Sequence, residues 1–313
     1  MKKIYLYCAF LITFISNAQT EIDGIMMEKK NFCVGAIYQY SSFNEYWEGT
    51  LKRDNLNIGT VSTKSLSVMG NYGITDKLNV IFSIPYIKTN ASAGTLIGQK
   101  GFQDLSLFVK YMPFDKKIKK ISYSAYIVGG FSVPTSDYTP DFLPLSIGNQ
   151  SKTASLRLMG DIQKGNIYTT FSGTYIRRSN ITIDKDSYFT TEYHFTDEVM
   201  IPDAISYNFR IGYRTKNLIA DVYYDNWITQ KGGFDITRNN MPFPSNTMNV
   251  SKVGIYAKYT LKKISGLSIL GGYNSVLTGR NVGQANTING GLFYILDFNK
   301  NEKMDEKVKK DEK

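Results

Sequence analysis

Beyond residue 18 the sequence has no apolar run approaching the roughly 20 residues that a membrane-spanning helix requires. Any membrane passage past that point must be made by strands. Histidine is nearly absent, with His194 alone, and there are 2 cysteines, Cys8 and Cys33. One imidazole cannot assemble a His-rich metal centre, and no cysteine pair stands ready to help it. No metal and no cofactor are expected. Hydrolytic catalysis needs a nucleophile beside a base. His194 sits between Tyr193 and Phe195, with Asp197 further on, and neither the His–Ser nor the Asp–His pattern of outer-membrane hydrolases surrounds it. The chain is therefore read as no enzyme. An outer-membrane hydrolase using His194 is the weakest of three functional readings.

The first residues read as an export signal. Lys2 and Lys3 precede an apolar stretch, Ile4 to Ile15, that is too short to span a bilayer. Ser16-Asn17-Ala18 supplies small residues for cleavage after Ala18, giving a signal peptide over 1–18. Cys8 would leave with it. Export permits disulfides, but Cys33 is then the single cysteine of the mature chain and reads as a small barrel-wall residue.

What is present is alternation. Leu78, Val80, Phe82, Ile84 and Tyr86 share one face, with Asn79 and Ser83 on the other. Ile205, Tyr207, Phe209, Ile211 and Tyr213 alternate with Ser206, Asn208, Arg210 and Arg214. Val253, Ile255, Ala257, Tyr259 and Leu261 do the same against Lys252, Gly254, Lys258 and Thr260. A period of two specifies a sheet with one apolar and one polar face. About twelve such segments occur, near 32–40, 60–72, 78–88, 102–112, 121–132, 153–163, 167–177, 204–214, 217–227, 250–261, 267–277 and 286–298. Most are close to the roughly 9–11 residues of a tilted membrane strand.

The connectors sort by length. Short ones (Gly73 to Lys77, Pro113 to Lys120, Lys164 to Asn166, Thr215-Lys216, Lys262 to Gly266) alternate with long ones (Ser41 to Gly59, Thr89 to Gly101, Val133 to Lys152, Arg178 to Asp203, Ile228 to Asn249). Short periplasmic turns opposite long extracellular loops is the outer-membrane arrangement. Aromatics agree. On the apolar faces, Tyr38 or Tyr40, Tyr86, Phe131, Tyr175, Tyr224 and Tyr273 end the strands toward the long loops. Tyr72, Tyr111, Tyr213, Tyr259 and Phe298 end them toward the short turns. These predict two interfacial girdles. Lipid offers no partner for a sheet edge, so the sheet must close. The expected fold is all-β, a transmembrane antiparallel up-and-down β-barrel of about 12 strands over 32–299. A periplasmic N-terminal segment, 19–31, precedes it. A charged tail, 300–313, follows and is expected to be solvated and disordered.

Three motifs carry a family resemblance. Tyr72-Gly73-Ile74-Thr75-Asp76-Lys77-Leu78 followed by Ile84-Pro85-Tyr86 resembles the YGxTDxL…xPY hairpin of an outer-membrane family. That family is described as transporter-like, or as belonging to the MetA pathway of phenol degradation. Gly101 to Leu107 with Lys110-Tyr111 is similar to its GxGDLxLxxKY strand. Phe131 to Tyr138 is similar to its PTGxY loop start, with Ser136 in place of glycine. The charged tail after Phe298 is a second departure. The resemblance implies a barrel that passes small, often hydrophobic or aromatic compounds. None of these motifs is catalytic, so no functional residue carries over.

Asp104, Lys110, Arg157, Asp161, Arg210, Arg214, Asp221, Asp225, Lys258 and Asp297 alternate with apolar neighbours. On the lipid face Arg or Lys would cost about 2–4 kcal/mol at the midplane, so these residues are expected to line the lumen. Either opposite charges pair across it and plug it, or Arg157, Arg210 and Asp221 form a selective constriction. Phe43, Tyr46 and Trp47 in one loop, and Phe234 and Phe243 in another, form a ligand-binding mouth or a self-packed cap. The leading function is a passive channel or uptake barrel for small solutes in the outer membrane of a diderm bacterium. The rival is a plugged structural barrel that binds partners through loops and tail. The expected partners are outer-membrane lipids with lipopolysaccharide, the barrel-assembly machinery and small-molecule solutes. Compartment excludes nucleic acid. Lys2 and Lys3 of the signal carry part of the net charge of +10; the remaining excess is spread through loops and lumen and suits anionic head groups or solutes.

Overall fold

The computed structural model describes residues 20–236 and 241–298. The expected signal peptide and the 300–313 tail lie outside the described residues. Twelve long strands follow in chain order. They are β1 (Asn31–Phe43), β2 (Val61–Thr75), β3 (Leu78–Ala91), β4 (Asp104–Ile118), β5 (Ile121–Pro134), β6 (Thr153–Lys164), β7 (Ile167–Arg178), β8 (Ala204–Arg214), β9 (Leu218–Thr229), β10 (Asn249–Thr260), β11 (Leu267–Arg280) and β12 (Asn286–Asp297). Each pairs antiparallel with its sequence neighbours, and β12 pairs with β1 from Asn31↔Asp297 to Ser42↔Asn286. That last ladder closes the barrel and leaves no edge for lipid to meet.

The strands outrun the alternating segments. β4 continues to Ile118 because Pro113, which cannot donate to a ladder, falls at a bulge between Tyr111 and Phe114, after which pairing resumes to Ile118↔Ile121. The expected connector from Pro113 to Lys120 shrinks to Lys119-Lys120. One end of the barrel carries the connectors 76–77, 119–120, 165–166, 215–217 and 261–266. The other carries 44–60, 92–103, 135–152, 179–203 and 230–248. The β11–β12 connector, 281–285, is short although it lies at the long-loop end. The hairpin Glu45–Glu48/Leu51–Asp54 folds onto it: Trp47 N donates to Val282 O at 2.9 Å and Tyr46 OH to Asn281 O at 2.6 Å.

The outer wall is apolar. Leu66, Val109, Leu158, Phe171, Phe209 and Ile255 point away from the lumen and are exposed. The two predicted girdles stand there too: Tyr38, Tyr86, Phe131, Tyr175, Tyr224 and Tyr273 toward the loops, and Tyr72, Tyr111, Tyr213, Tyr259 and Phe298 toward the turns. Exposed aromatics at both rims suit a slab whose middle is hydrocarbon and whose faces are wet. Leu158, 60% exposed within β6, tests this directly. Leu158→Arg is expected to lower the free energy of folding into phospholipid vesicles by about 2–4 kcal/mol. A denaturant titration of vesicle-reconstituted protein measures it, and an unchanged midpoint would place Leu158 away from lipid.

Candidate functional site: the lumen

Residues 20–27 run into the barrel rather than staying outside it, as an N-terminal segment over 19–31 was expected to do. Lys110 of β4 is fully buried and holds them. Its Nζ donates to the carbonyl oxygens of Thr20 at 3.0 Å, Asp23 at 2.6 Å and Ile25 at 2.8 Å, and meets Asp23 Oδ1 at 3.1 Å. The ammonium also lies 5.2 Å from the Tyr126 ring. Tyr126 OH donates to Gly24 O at 2.9 Å, and Arg157 Nη1 to Glu21 O at 3.1 Å. Gly24 passes so close to β6 that a Cβ there would sit 2.2 Å from Asp161 Oδ2. Only glycine fits this approach. At the turn end Met27 packs with Cys33, Leu270, Phe293 and Ile295. Cys33 thus seals the seat of the segment and is more than a wall residue.

The predicted lumen charges face inward, and most are satisfied by neighbours on the same wall. Arg214 grips Asp161 with two bonds, Nη1 to Oδ1 at 2.9 Å and Nη2 to Oδ2 at 3.0 Å, and covers the Tyr168 ring at 3.8 Å. Thr170 donates to Asp161 Oδ2 at 2.5 Å. Tyr168 OH donates to Asp221 Oδ2 at 2.5 Å, and Arg210 Nη1 reaches Asp221 Oδ1 at 3.4 Å. Arg210 Nε donates to Asn208 Oδ1 at 3.0 Å, and Asn208 Nδ2 to Asp225 Oδ1 at 2.5 Å. A single polar network therefore runs from β6 to β9. Lys258, also buried, lines a cavity of about 200 Å³ with Asp23, Arg210 and Asp221. Asp297 sits at the turn-side end of β12 opposite Asn31. Asp104 and Arg157 stand apart, on the loop side of the segment, in a second cavity of about 380 Å³.

Two expectations need correction. The ion pairs do not bridge the lumen: Arg210–Asp221 joins adjacent strands, and Arg214–Asp161 spans only the intervening β7. Arg157 also does not join Arg210 and Asp221 in one constriction. It bonds Thr174 Oγ1 at 2.7 Å and Glu21 instead. The occupant of the lumen is the 20–27 segment, and Asp23 is the site residue that sequence reasoning missed. The available signal was acidic Glu21 and Asp23 just ahead of a chain whose lumen faces hold Lys110, Arg157, Arg210, Arg214 and Lys258.

The aromatic loops form a cap. Phe43 and Tyr46 have ring centroids 5.8 Å apart, Trp47 Nε1 donates to Gln284 Oε1 at 2.8 Å, and burial pushes the Tyr46 hydroxyl well above its ordinary pKa. Phe243 stacks on Tyr188 at 5.3 Å over Ile181, Ile183, Val199 and Ile201. Phe234 lines a separate space of about 400 Å³ with Phe243 and Tyr188. His194 stacks on Tyr188 at 4.8 Å, and its Nε2 lies 2.8 Å from Thr190 Oγ1 across a small hairpin. Among the described residues no carboxylate bonds its other ring nitrogen, and no group of His, Cys, Asp and Glu is clustered to hold a metal.

A clasp joins two loops. Arg280 Nε and Nη2 donate to Asp235 Oδ1 and Oδ2 at 2.7 and 2.8 Å, and Asn281 Nδ2 adds a third bond at 2.7 Å. The Arg280 bonds, outweighing partial desolvation and aided by Asn281, hold the Asp235 carboxyl below the usual carboxylate range. A depressed folded pKa gives stability that is present above the unfolded value of about 3.9 and lost as pH falls through the folded one. Hydrogen-exchange protection of Ile236, whose N–H bonds Asn281 Oδ1 at 3.1 Å, is expected to hold at neutral pH and fall below about pH 3.9. In Asp235→Asn it is expected to be low throughout. Protection that ignores pH would show that the clasp does not order the loop.

With this geometry the chain can be compared with known proteins. A crystal structure of an outer membrane channel from Pseudomonas putida F1 superposes with a TM-score of 0.68, covering 90% of this chain and 100% of that one at 12% identity. The chain has the fold of an outer-membrane β-barrel. The translocator domain of an autotransporter from Neisseria meningitidis gives a TM-score of 0.47 at 9% identity, covering 87% of this chain and 90% of that one. No family model matches the sequence, and no curated protein does. The phenol-degradation resemblance therefore stands on its motifs. In the fold those motifs meet one another: Thr135 Oγ1 donates to Gln103 O at 2.6 Å, and Ser136 Oγ to Phe102 O.

Proposed function

We propose that this barrel sits in the outer membrane of a diderm bacterium as a passive channel or uptake protein for small solutes, without enzymatic activity. The observation that carries the reading is the lumen. It is polar, it contains cavities of about 200 and 380 Å³, and between them it is filled by a short segment rather than by interlocked wall side chains. A wall packed shut would need repacking to conduct, whereas a docked segment needs only to undock. Lipid and lipopolysaccharide would contact the apolar wall and its girdles, and the barrel-assembly machinery would insert it. The purified protein, placed in planar bilayers, is expected to show discrete openings from a mostly closed baseline. A silent bilayer at all voltages, with folded protein confirmed in the same preparation, would reject the channel reading.

The rival, a barrel that binds partner proteins through its loops, is favoured by one observation. Tyr193 and Phe195 at the tip of the 179–203 loop are 71% and 87% exposed. Hydrophobic or aromatic solutes, implied by the family resemblance, are a finer claim that the solute comparison below addresses.

A further inference from the structure

We propose that the loop-side cavity of the lumen is a binding site for small, neutral, hydroxyl-rich solutes, of the size and chemistry of a mono- or disaccharide. This names the solute of the channel reading and rests on it.

Two cross-strand ladders build the site. In the first, Ser106 of β4 faces Ser132 of β5, Ser132 faces Thr153 of β6, and Thr153 faces Arg178 of β7. In the second, Arg157 of β6 faces Thr174 of β7, Thr174 faces Ser206 of β8, and Ser206 faces Trp227 of β9. Alternation turns all eight side chains to the lumen. They enclose about 380 Å³, within the range of small-molecule sites. Glu21 of the docked segment forms part of the lining.

The chemistry is that of hydroxyls. Ser132 and Thr153 bond each other at 2.6 Å, and each hydroxyl can both give and accept. The hydroxyls of Ser106, Ser155 and Ser206 form no hydrogen bond with another described residue, so they are available to a ligand. The charged groups, by contrast, are engaged. Arg157 bonds Thr174 Oγ1 and Glu21 O, Arg178 Nε donates to Pro202 O at 2.5 Å, and Asp104 accepts from Tyr138 OH at 3.0 Å. The lining carries two guanidinium groups and the two carboxylates of Asp104 and Glu21, so both signs are present in equal number. The cavity is therefore built against a strongly charged solute and for one that exchanges many neutral hydrogen bonds. Trp227 supplies an aromatic face for the C–H side of a sugar ring, and Arg178 lies 5.8 Å from it.

Trp227 also reports on its own site. The sequence has 2 tryptophans, so Trp47→Phe leaves Trp227 as the sole indole. The full barrel in a non-glycosidic detergent is titrated with glucose, maltose, gluconate and benzoate, and Trp227 emission is followed. A saturable change with a neutral sugar is expected, and replacing Thr174 and Ser206 together by valine is expected to weaken it by about tenfold or more. Ser132→Ala, a milder change in the other ladder, is expected to weaken it in the same direction. The proposal is overturned by three outcomes: no saturable response to either sugar, an equal response in the folded valine and alanine variants, or tighter binding of gluconate or benzoate than of both sugars. Benzoate as the best ligand would instead support the aromatic solutes of the family resemblance. Binding is read in detergent and conduction in a bilayer. A silent barrel that binds sugar loses only the channel reading, and a conducting barrel that binds none loses only this site.

Discussion

Lys110→Met is expected to convert a mostly closed barrel into a mostly open one, and replacing residues 20–27 by glycine and serine at equal length is expected to do the same. Among the described residues, Lys110 is the one side chain that binds the segment at four points, three carbonyls and the Asp23 carboxylate. Methionine keeps much of its length and apolar body but has no donor. Removing one partner of a buried ion pair costs about 3–5 kcal/mol, because the other charge stays buried and unpaired. The Asp23 side chain is itself only 20% exposed. At about 1.4 kcal/mol per decade, the docked-to-undocked ratio falls by roughly two to three and a half orders of magnitude. Single-channel recording reads this as a rise in open probability. The glycine–serine replacement removes Glu21, Asp23 and Met27 together and is expected to open the lumen fully. Arg157→Met, which deletes one bond to Glu21 O, is expected to act in the same direction but less strongly. If both main variants conduct as the parent does, the segment is not the closure.

The second large effect is expected at Arg214. Arg214→Leu leaves Asp161, nearly buried, with Thr170 as its remaining strong donor. A loss of about 3–5 kcal/mol in folding free energy is expected, measured by denaturant titration in vesicles. Asp161→Leu alone leaves the Arg214 guanidinium over Tyr168 with Gln163 Oε1 as its remaining acceptor and no carboxylate partner, and is expected to cost about as much. The double replacement is expected to cost clearly less than the two singles together, since an apolar pair removes both desolvated charges. Additive losses would show that the pair is not coupled. Gly24 lies against Asp161, so the double variant also tests the segment's seat. A leucine at 161 is wider than aspartate at Cβ–Cγ, and a rise in open probability is expected alongside the partial recovery of stability.

Much of this barrel could be read before any coordinates. The alternation around Leu78–Tyr86 and Ile205–Tyr213 fixed which side chains meet lipid, and the girdle tyrosines followed from it. The strand count followed as well, because lipid admits only a closed sheet of nearly uniform strands. The strand ends were less legible. Pro113 looked like a turn and proved to be a bulge, because a bulge leaves one residue outside the ladder. The loop aromatics Phe43, Tyr46 and Trp47 could be recognised as a cluster with a mouth and a cap both open, but the choice between them could not be read, since their partners Asn281 and Gln284 lie more than 230 residues away in the chain.

The sequence by itself determined that the backbone forms a closed sheet with a lipid face and a polar lumen, because a period of two is a local property that each strand carries alone. Only the tertiary structure decided what fills that lumen. Lys110 meets Thr20, Asp23 and Ile25 across 85 to 90 residues of chain, and Arg214 meets Asp161 across 53. Which inward charges become partners depends on the stagger of neighbouring strands and on where the 20–27 segment docks. No periodicity records either of these.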